Sequence, residues 1–426
     1  MSPPVLSVVF LSLLATGIPI FLVLGGLSFL LYWMDGTPLI SLAQLYGDRL
    51  NSITVVSIPL FVIAAQFMQK GGIAQALIDW AEAWVGRVPG GLAVVCVLAT
   101  TVFAAISGSS TATAMAMGLI VIPAMLRSGY APSFAAGTVG ASGTLGILIP
   151  PSLVFILYAI VAEQSIPRLF LAGVVPGAIQ ACLFILYAIW HARRAGYAPS
   201  PRPDPAAFRR ANFRALPALA IPLVVLGGIY SGMLTVSEAA GVAALLSMVA
   251  SVAIYRQCRV AEVLPTIAEA LALTAVLFFI MIGAISFSHW LISSGISTRI
   301  VEIFTGSGLT TWQFLLMVNL LLILLGTFLE VFGVLFIAVP VLLPIALGLG
   351  VDPIHFGVIL VINMELAFIT PPVGLNLFVL QSISTIRIAE IFRGILPYIL
   401  ILAALLLLVT YVPAVSLWLP NLVYGG

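Results

Sequence analysis

A chain of 426 residues, of which 62% are hydrophobic and 7% charged, cannot cover itself with a polar surface in water, so the composition describes an integral membrane protein. The net charge of +2 points to no nucleic-acid partner, and the scattered Cys96, Cys182 and Cys258 form neither a disulfide framework nor a metal site. A bilayer core about 30 Å thick takes about 20 apolar residues per helix, which leaves room for roughly ten to twelve spanning or re-entrant segments in a polytopic transporter or channel.

The first apolar run, Val5 to Trp33, is too long for a signal-peptide core and has no basic residue before it. It is expected to be one retained helix, and residues 1–51 a scaffold helix with an interfacial arm. Residues 52–190 then read as a unit: a crossing near 52–69, a hairpin at 91–126, a broken crossing at 133–163 and a crossing at 170–190. Between the first two, residues 72–87 put Ile73, Leu77, Trp80 and Trp84 on one face and Gln75, Asp79 and Glu82 elsewhere. That pattern predicts a helix lying in the membrane interface against lipid.

Residues 191–214 carry six Arg and four Pro between apolar runs and read as a solvated cytoplasmic loop. Residues 215–271 supply two scaffold helices that go out and return, followed by an arm; Thr235 and Glu238 form a capping box that opens the second. Residues 272–411 form a second unit with a hairpin at 309–347 and a broken crossing at 354–384, and 412–426 are a tail. Its interfacial segment places Ile296, Ile300, Ile303 and Phe304 together.

The two units match at one offset of 221 residues. Pro123 pairs with Pro344, Gly129 with Gly350, Pro132 with Pro353, Pro150 and Pro151 with Pro371 and Pro372, Gly173 with Gly394, and Pro176 with Pro397. Coincidence of helix-breaking residues without a gap marks an internal duplication. An odd number of crossings per unit makes the repeats inverted. Charge agrees, because of the 16 basic residues only Arg49, Arg168 and Arg299 then fall outside. The expected fold class is therefore an all-α integral membrane protein of two inverted structural repeats with re-entrant hairpins and broken helices.

Paired prolines inside GTLGILIPPS (143–152) and FITPPVGLNL (368–377) remove donors and break the helical ladder, and the freed carbonyls need partners at membrane depth. Such breaks point to a buried cavity or an ion site. Facing the first break, the hairpin carries AAISGSSTATAMAMG (104–118), with small hydroxyl residues and a turn at Gly108. Ala112 to Gly118 reads as small-residue helix packing. Ser107 to Thr111 opposite Gly146 to Pro151 reads as a site, where carbonyls and hydroxyls suit a monovalent cation such as sodium and half-helix N-termini suit an anionic group.

Three pieces, SGSSTATAMAMG (107–118), GILIPPS (146–152) and NMELAFITPPVGLNLF (363–378), in this order and spacing, resemble the large membrane subunit of tripartite ATP-independent periplasmic (TRAP) transporters of the dicarboxylate-permease type, and the resemblance spans essentially the whole chain. It implies an elevator-type transporter of the bacterial inner membrane in which sodium drives uptake of a carboxylate-bearing solute, such as a C4-dicarboxylate or a sugar acid. A separate periplasmic binding protein would deliver the solute, and a separate small membrane subunit of about four helices would dock on the chain. Coupling sodium ions, rather than a resident cofactor, are implied. Carried over by motif, one sodium site uses Ser107 and Ser110 with the carbonyls of Gly146, Ile149 and Pro151. The other uses the carbonyl of Gly326, the segment from Ala367 to Thr370 with the Thr370 hydroxyl, and Val373. Solute would lie between the tips, near Ser107, Gly108, Ser109 and Ser110 and near Gly374 to Asn376. The chain departs from the family at Ala367, where glycine is common; a positive φ there would strain alanine and weaken the second site.

Carboxylates within a membrane are costly and usually functional. Glu330 is expected to tie the second hairpin tip by hydrogen bonds, and Glu365 has no role assigned. The single lysine, Lys70, and the lack of GxxxxGK[ST] exclude a P-loop ATPase. His191, His289 and His355 lack ligand spacing, and no G-x-S-x-G elbow accompanies the serines, so the chain is read as no enzyme. The remaining alternatives are a self-sufficient sodium- or proton-coupled carboxylate symporter that needs no binding protein and, behind it, a channel.

Overall fold

Backbone groups in lipid find partners only within helices or inside protein, and the described residues accordingly form helices and no strand. The structure is a computed structural model that describes residues 9, 10, 12, 13, 16–38, 40–199, 204–306 and 308–425. Ten of the described helical segments are long and apolar enough to cross a membrane.

The first apolar run is not one helix. The chain turns at Thr16 and Gly17, where Gly17 has φ +77°, and α1 (Ile20–Met34) starts only after Pro19. A glycine at positive φ and a proline before the next helix interrupt what hydropathy alone would run together; residues 5–8, 11, 14 and 15 of that run lie outside the described ones. Next come α2 (Ile40–Leu50) and a short 3₁₀ turn, Ile53–Val56, leading into α3 (Ser57–Lys70). The first half continues with α4 (Ile73–Val85), the α5/α6 hairpin (Gly91–Ser107, Ser110–Arg127), the broken pair α7 (Pro132–Leu148) and α8 (Leu153–Ala162), and α9 (Ile166–Ala195). Then α10 (Pro205–Tyr230), α11 (Val236–Val249) and α12 (Val260–Ser293) connect the halves. The second half holds α13 (Ile296–Gly306), the α14/α15 hairpin (Thr311–Phe328, Val331–Gly348), the broken pair α16 (Pro353–Ile369) and α17 (Leu375–Ile383), then α18 (Ile388–Tyr411) and α19 (Ala414–Tyr424).

The offset of 221 recurs in these boundaries. It relates both ends of α6 to those of α15 and both ends of α7 to those of α16, and it relates the cis peptide bonds Pro150–Pro151 and Pro371–Pro372. Pro132 and Pro353 occupy the first turn of their helices, where a missing N–H costs nothing and φ is preset. Asp352 adds a cap, accepting from the N–H groups of Ile354 at 2.7 Å and His355 at 3.1 Å.

At the centre α7 and α16 pack together, each buried along nearly its whole length, as helices apolar all round must be. Against α7 lies α18, and a Cβ added to Gly137 would stand 2.3 Å from the Gly394 backbone. Glycine on both sides lets the two backbones touch, the small-residue packing used where lipid gives helices no hydrophobic drive to associate.

Peripheral helices are joined by polar contacts. Trp290 on α12 donates to Asp35 after α1 at 2.6 Å, and Tyr32 bonds His289 at 2.5 Å. Lys70 at the end of α3 pairs with Glu269 on α12 at 2.6 Å. The Thr235–Glu238 capping box is present. Helix α4, expected to rest on lipid, docks on α5 and α10: Trp84 Nε1 donates to Asn212 at 2.9 Å, its ring lies tilted against Phe208 with centroids 5.4 Å apart, and Asp79 pairs with Arg214 at 3.6 Å. Sequence periodicity shows that such a helix has two faces and is silent on which other helix meets the polar one. In its counterpart α13, Ile296 is buried, while the side chains of Ile300, Ile303 and Phe304 lie outside the described residues.

Candidate functional site

Gly108 makes the tip of the first hairpin, and its φ of +61° allows the turn between α5 and α6. A Cβ there would lie 3.1 Å from the Leu153 nitrogen and 3.6 Å from the Pro151 carbonyl oxygen, so the tip rests on the first break. Ser109 is the extended N-cap of α6 and accepts from the Ala112 N–H at 3.5 Å. The Ser107 hydroxyl bonds the Thr113 hydroxyl at 2.5 Å, donates to the Ser109 carbonyl at 3.2 Å and accepts from the Ser109 N–H at 3.3 Å. Gly146 faces this knot so closely that a Cβ would stand 2.5 Å from the Ser109 oxygen. Ser107, Gly108, Ser109, Gly146 and Pro151 are thus brought together; the side chain of Ile149 turns away toward Gly177 on α9. Thr113 belongs to the same cluster and was not singled out from the sequence, although it closes the hydroxyl run that starts at Ser107.

Asn376, expected beside solute, is fully buried, and its Nδ2 donates to Ser110 Oγ at 2.9 Å and to the Gly140 carbonyl at 3.1 Å. It ties the helix after the second break to the hairpin and central helix of the first half. Ser110 is accordingly turned inward, 1% exposed.

Around the second break, Gly326 on α14 abuts Ala367, with a Cβ on Gly326 placed 2.6 Å from that of Ala367. The Thr370 hydroxyl donates to the Leu366 carbonyl at 2.6 Å and its N–H to the Ala367 carbonyl at 3.3 Å. Gly374, at φ +56°, folds over the Thr370 carbonyl and under Leu377, while Val373 lies half-buried in the turn. Ala367 is an ordinary helical residue: among the described residues only Glu163 and Arg256 combine a side chain with positive φ. The strain anticipated for alanine is therefore absent, and helical backbone is what alanine favours.

Beside the first tip opens a cavity of about 350 Å³. Ser107, Gly108, Ser109 and Thr111 line it, with Pro151, Gln66 and Gln69 of α3, and Glu330. Ser110, Gly374 and Asn376, expected beside solute, do not, because their polar groups are turned into the protein. Glu330, expected to tie its own hairpin tip, is the N-cap of α15 without a side-chain capping bond and points into the same cavity. No basic side chain among the described residues lines it. Gln66 and Gln69 were missed, although two amides three apart on an otherwise apolar crossing share a helix face and could have marked it.

Comparison with known proteins places this arrangement. A family model described as "Tripartite ATP-independent periplasmic transporter, DctM component" matches residues 7–415. A C4-dicarboxylate TRAP transporter large permease protein of Pseudomonas aeruginosa is 44% identical over 398 residues, covering 93% of this chain and 92% of that one. The protein of the same description from Rhodobacter capsulatus is 39% identical and covers 97% of each chain. In fold, the chain is similar to the solved YdaH transporter of Alcanivorax borkumensis, described as having an unusual topology, with TM-score 0.65, 15% identity and coverage of 89% of this chain and 88% of that one.

Proposed function

We propose, from the premise that this chain belongs to the DctM component family of tripartite ATP-independent periplasmic transporters and is a large permease subunit, that it carries out sodium-coupled uptake of a C4-dicarboxylate or related carboxylate across the bacterial inner membrane. In this reading a periplasmic binding protein delivers the solute and a small membrane subunit completes the transporter. The Arg-rich loop is cytoplasmic and the two halves are inverted, so that solute crosses by an elevator movement of the central helices.

One observation carries the reading: the first hairpin tip rests on a cis-proline break beside a cavity, and Asn376 ties that tip to the helix after the second break. Sodium would be held by the hydroxyls of Ser107 and Ser110 with the carbonyls of Gly146, Ile149 and Pro151, at the tip where Gly146 lies against Ser109. A second ion would use the carbonyls of Gly326 and Ala367, the turn to Val373 and the Thr370 hydroxyl. Hard, uncharged oxygens of this kind suit a monovalent cation whose charge travels with an anionic solute. Solute would occupy the cavity, with its carboxylate toward the N-terminal end of α6.

The test is uptake of labelled succinate into proteoliposomes holding the chain with its small subunit. Uptake is expected only when an inward sodium gradient and the binding protein are both present. Ser110→Ala, which frees Asn376, and Thr370→Ala are each expected to weaken the dependence on sodium while the protein stays folded. Uptake by the chain alone would establish the self-sufficient symporter, for which the relatives, named as TRAP permeases, give no support. Wild-type sodium dependence in both variants would sink the ion sites.

A further inference from the structure

The cavity beside the first tip has two walls. One belongs to the hairpin and the first break; the other is α3, which packs chiefly on α11 and α12 and lines the space with Gln66 and Gln69. The two glutamines are three residues apart, so they share a face of the helix and lie about 4.5 Å apart along its axis. Both side chains can therefore reach one small group. They are half-buried, and neither has a hydrogen-bond partner among the described residues.

The duplication shows that packing does not ask for these amides. At the offset of 221 residues α3 corresponds to the second half of α12, and Gln66 and Gln69 correspond to Phe287 and Trp290. Both aromatic residues are buried; Phe287 stacks on Phe10, and Trp290 donates to Asp35. The same two positions hold rings where they meet protein and amides where they meet the cavity.

A dicarboxylate with one end at the N-terminal end of α6 needs donors for its other end. No lysine, arginine or histidine among the described residues lines the cavity. The Ser107 hydroxyl is engaged with Thr113 and the Ser109 carbonyl, and the Ser109 and Thr111 hydroxyls lie 3.4 Å from each other. Glu330, an acceptor only when ionised, repels a carboxylate and leaves the α3 wall as the place for it. Each glutamine offers two N–H donors there. We propose that Gln66 and Gln69 hold the second carboxylate of the solute, each donating to one of its oxygens, and so make the site select a dicarboxylate over a monocarboxylate. The assignment rests on solute occupying this cavity with its first carboxylate toward α6.

The test is equilibrium binding of labelled succinate to the purified complex of the chain with its small subunit in sodium chloride. Unlabelled succinate or succinamate is the competitor; in succinamate the second carboxylate is a neutral amide of the same shape. Wild type is expected to prefer succinate. Gln66→Leu and Gln69→Leu should each weaken succinate about tenfold or more, the weight of a hydrogen bond to a charged group, and weaken succinamate less, so that the preference narrows. Gln66→Glu keeps the size of the side chain but sets a charge against the solute, and should abolish succinate binding with the melting temperature retained. An unchanged preference in the leucine variants, equal weakening of both ligands, or succinate binding that survives Gln66→Glu would overturn the assignment and leave the solute in the cavity. No succinate binding by wild type would instead withdraw the cavity as a dicarboxylate site, and the assignment falls with it.

Discussion

A methyl group added at Gly146 would stand 2.5 Å from the Ser109 carbonyl oxygen and 2.8 Å from Thr113 Oγ1. Neither neighbour can retreat easily, since one is backbone and the other is bonded to Ser107 at 2.5 Å. Gly146→Ala is therefore expected to cost about 1–3 kcal/mol, the range for overpacking a tight interior, and to abolish sodium-dependent uptake before it abolishes folding. Gly227→Ala is the control: nothing lies within 4 Å of its added Cβ in the last turn of α10, and alanine there should be neutral or stabilising in a thermal melt. Equal effects of the two would remove the special place given to Gly146. At this scale sequence reading found Gly146 and Ser107 through their place beside proline and glycine, which punctuate a chain visibly. It missed Thr113 and the partners of Asn376, because a side chain's partner is settled by packing between segments far apart in number: Asn376 and Gly140 are separated by 236 positions.

Elements were legible where breakers set them. The ends of α6, α7, α15 and α16 follow from the prolines and glycines that recur at the common offset, whereas Gly17 broke the first run unnoticed and α4 found α10 rather than lipid. Duplication also left differences that only the structure gives meaning. Asn363 on α16 donates to Asn319 on α14 at 2.9 Å, and Asn319 donates to Thr410 on α18 at 3.0 Å, all three buried. At the offset of 221 the first half has Leu98, Ser142 and Ile189 instead, so the polar tie joins three helices of the second half only. Asn319→Leu should leave Asn363 only its bond to the Ile359 carbonyl at 2.8 Å, deprive the Thr410 hydroxyl of its donor, and lower stability by about 1–3 kcal/mol. Adding Asn363→Ser and Thr410→Ile, which copies the first half, should recover much of that loss in thermal unfolding. Additive destabilisation by the three changes would show that the bonds do not act as one unit.

For the whole molecule, the buried pair α7 and α16 and the clasp of Asn376 on Ser110 show two halves built to one plan and interlocked at their breaks. Whether such halves face the same way or opposite ways decides how a transporter alternates its access, because inverted repeats can exchange conformations and so expose a central site to each side in turn. The distribution of basic residues argues for inversion, and it makes a prediction at the level of single loops. Ser128, just after α6, and Leu349, just after α15, are related by the offset of 221 and close equivalent hairpins. With Cys96, Cys182 and Cys258 replaced by serine, Ser128→Cys should react with a membrane-impermeant thiol reagent only in inside-out vesicles. Leu349→Cys should react in intact cells. Ser128 is exposed and Leu349 partly so, which leaves either thiol open to the reagent on its own side. Labelling of both positions from one side would make the repeats parallel; the Arg387 and Arg393 pair would then lie with the minority of basic residues outside, and the elevator reading would lose the symmetry on which it rests.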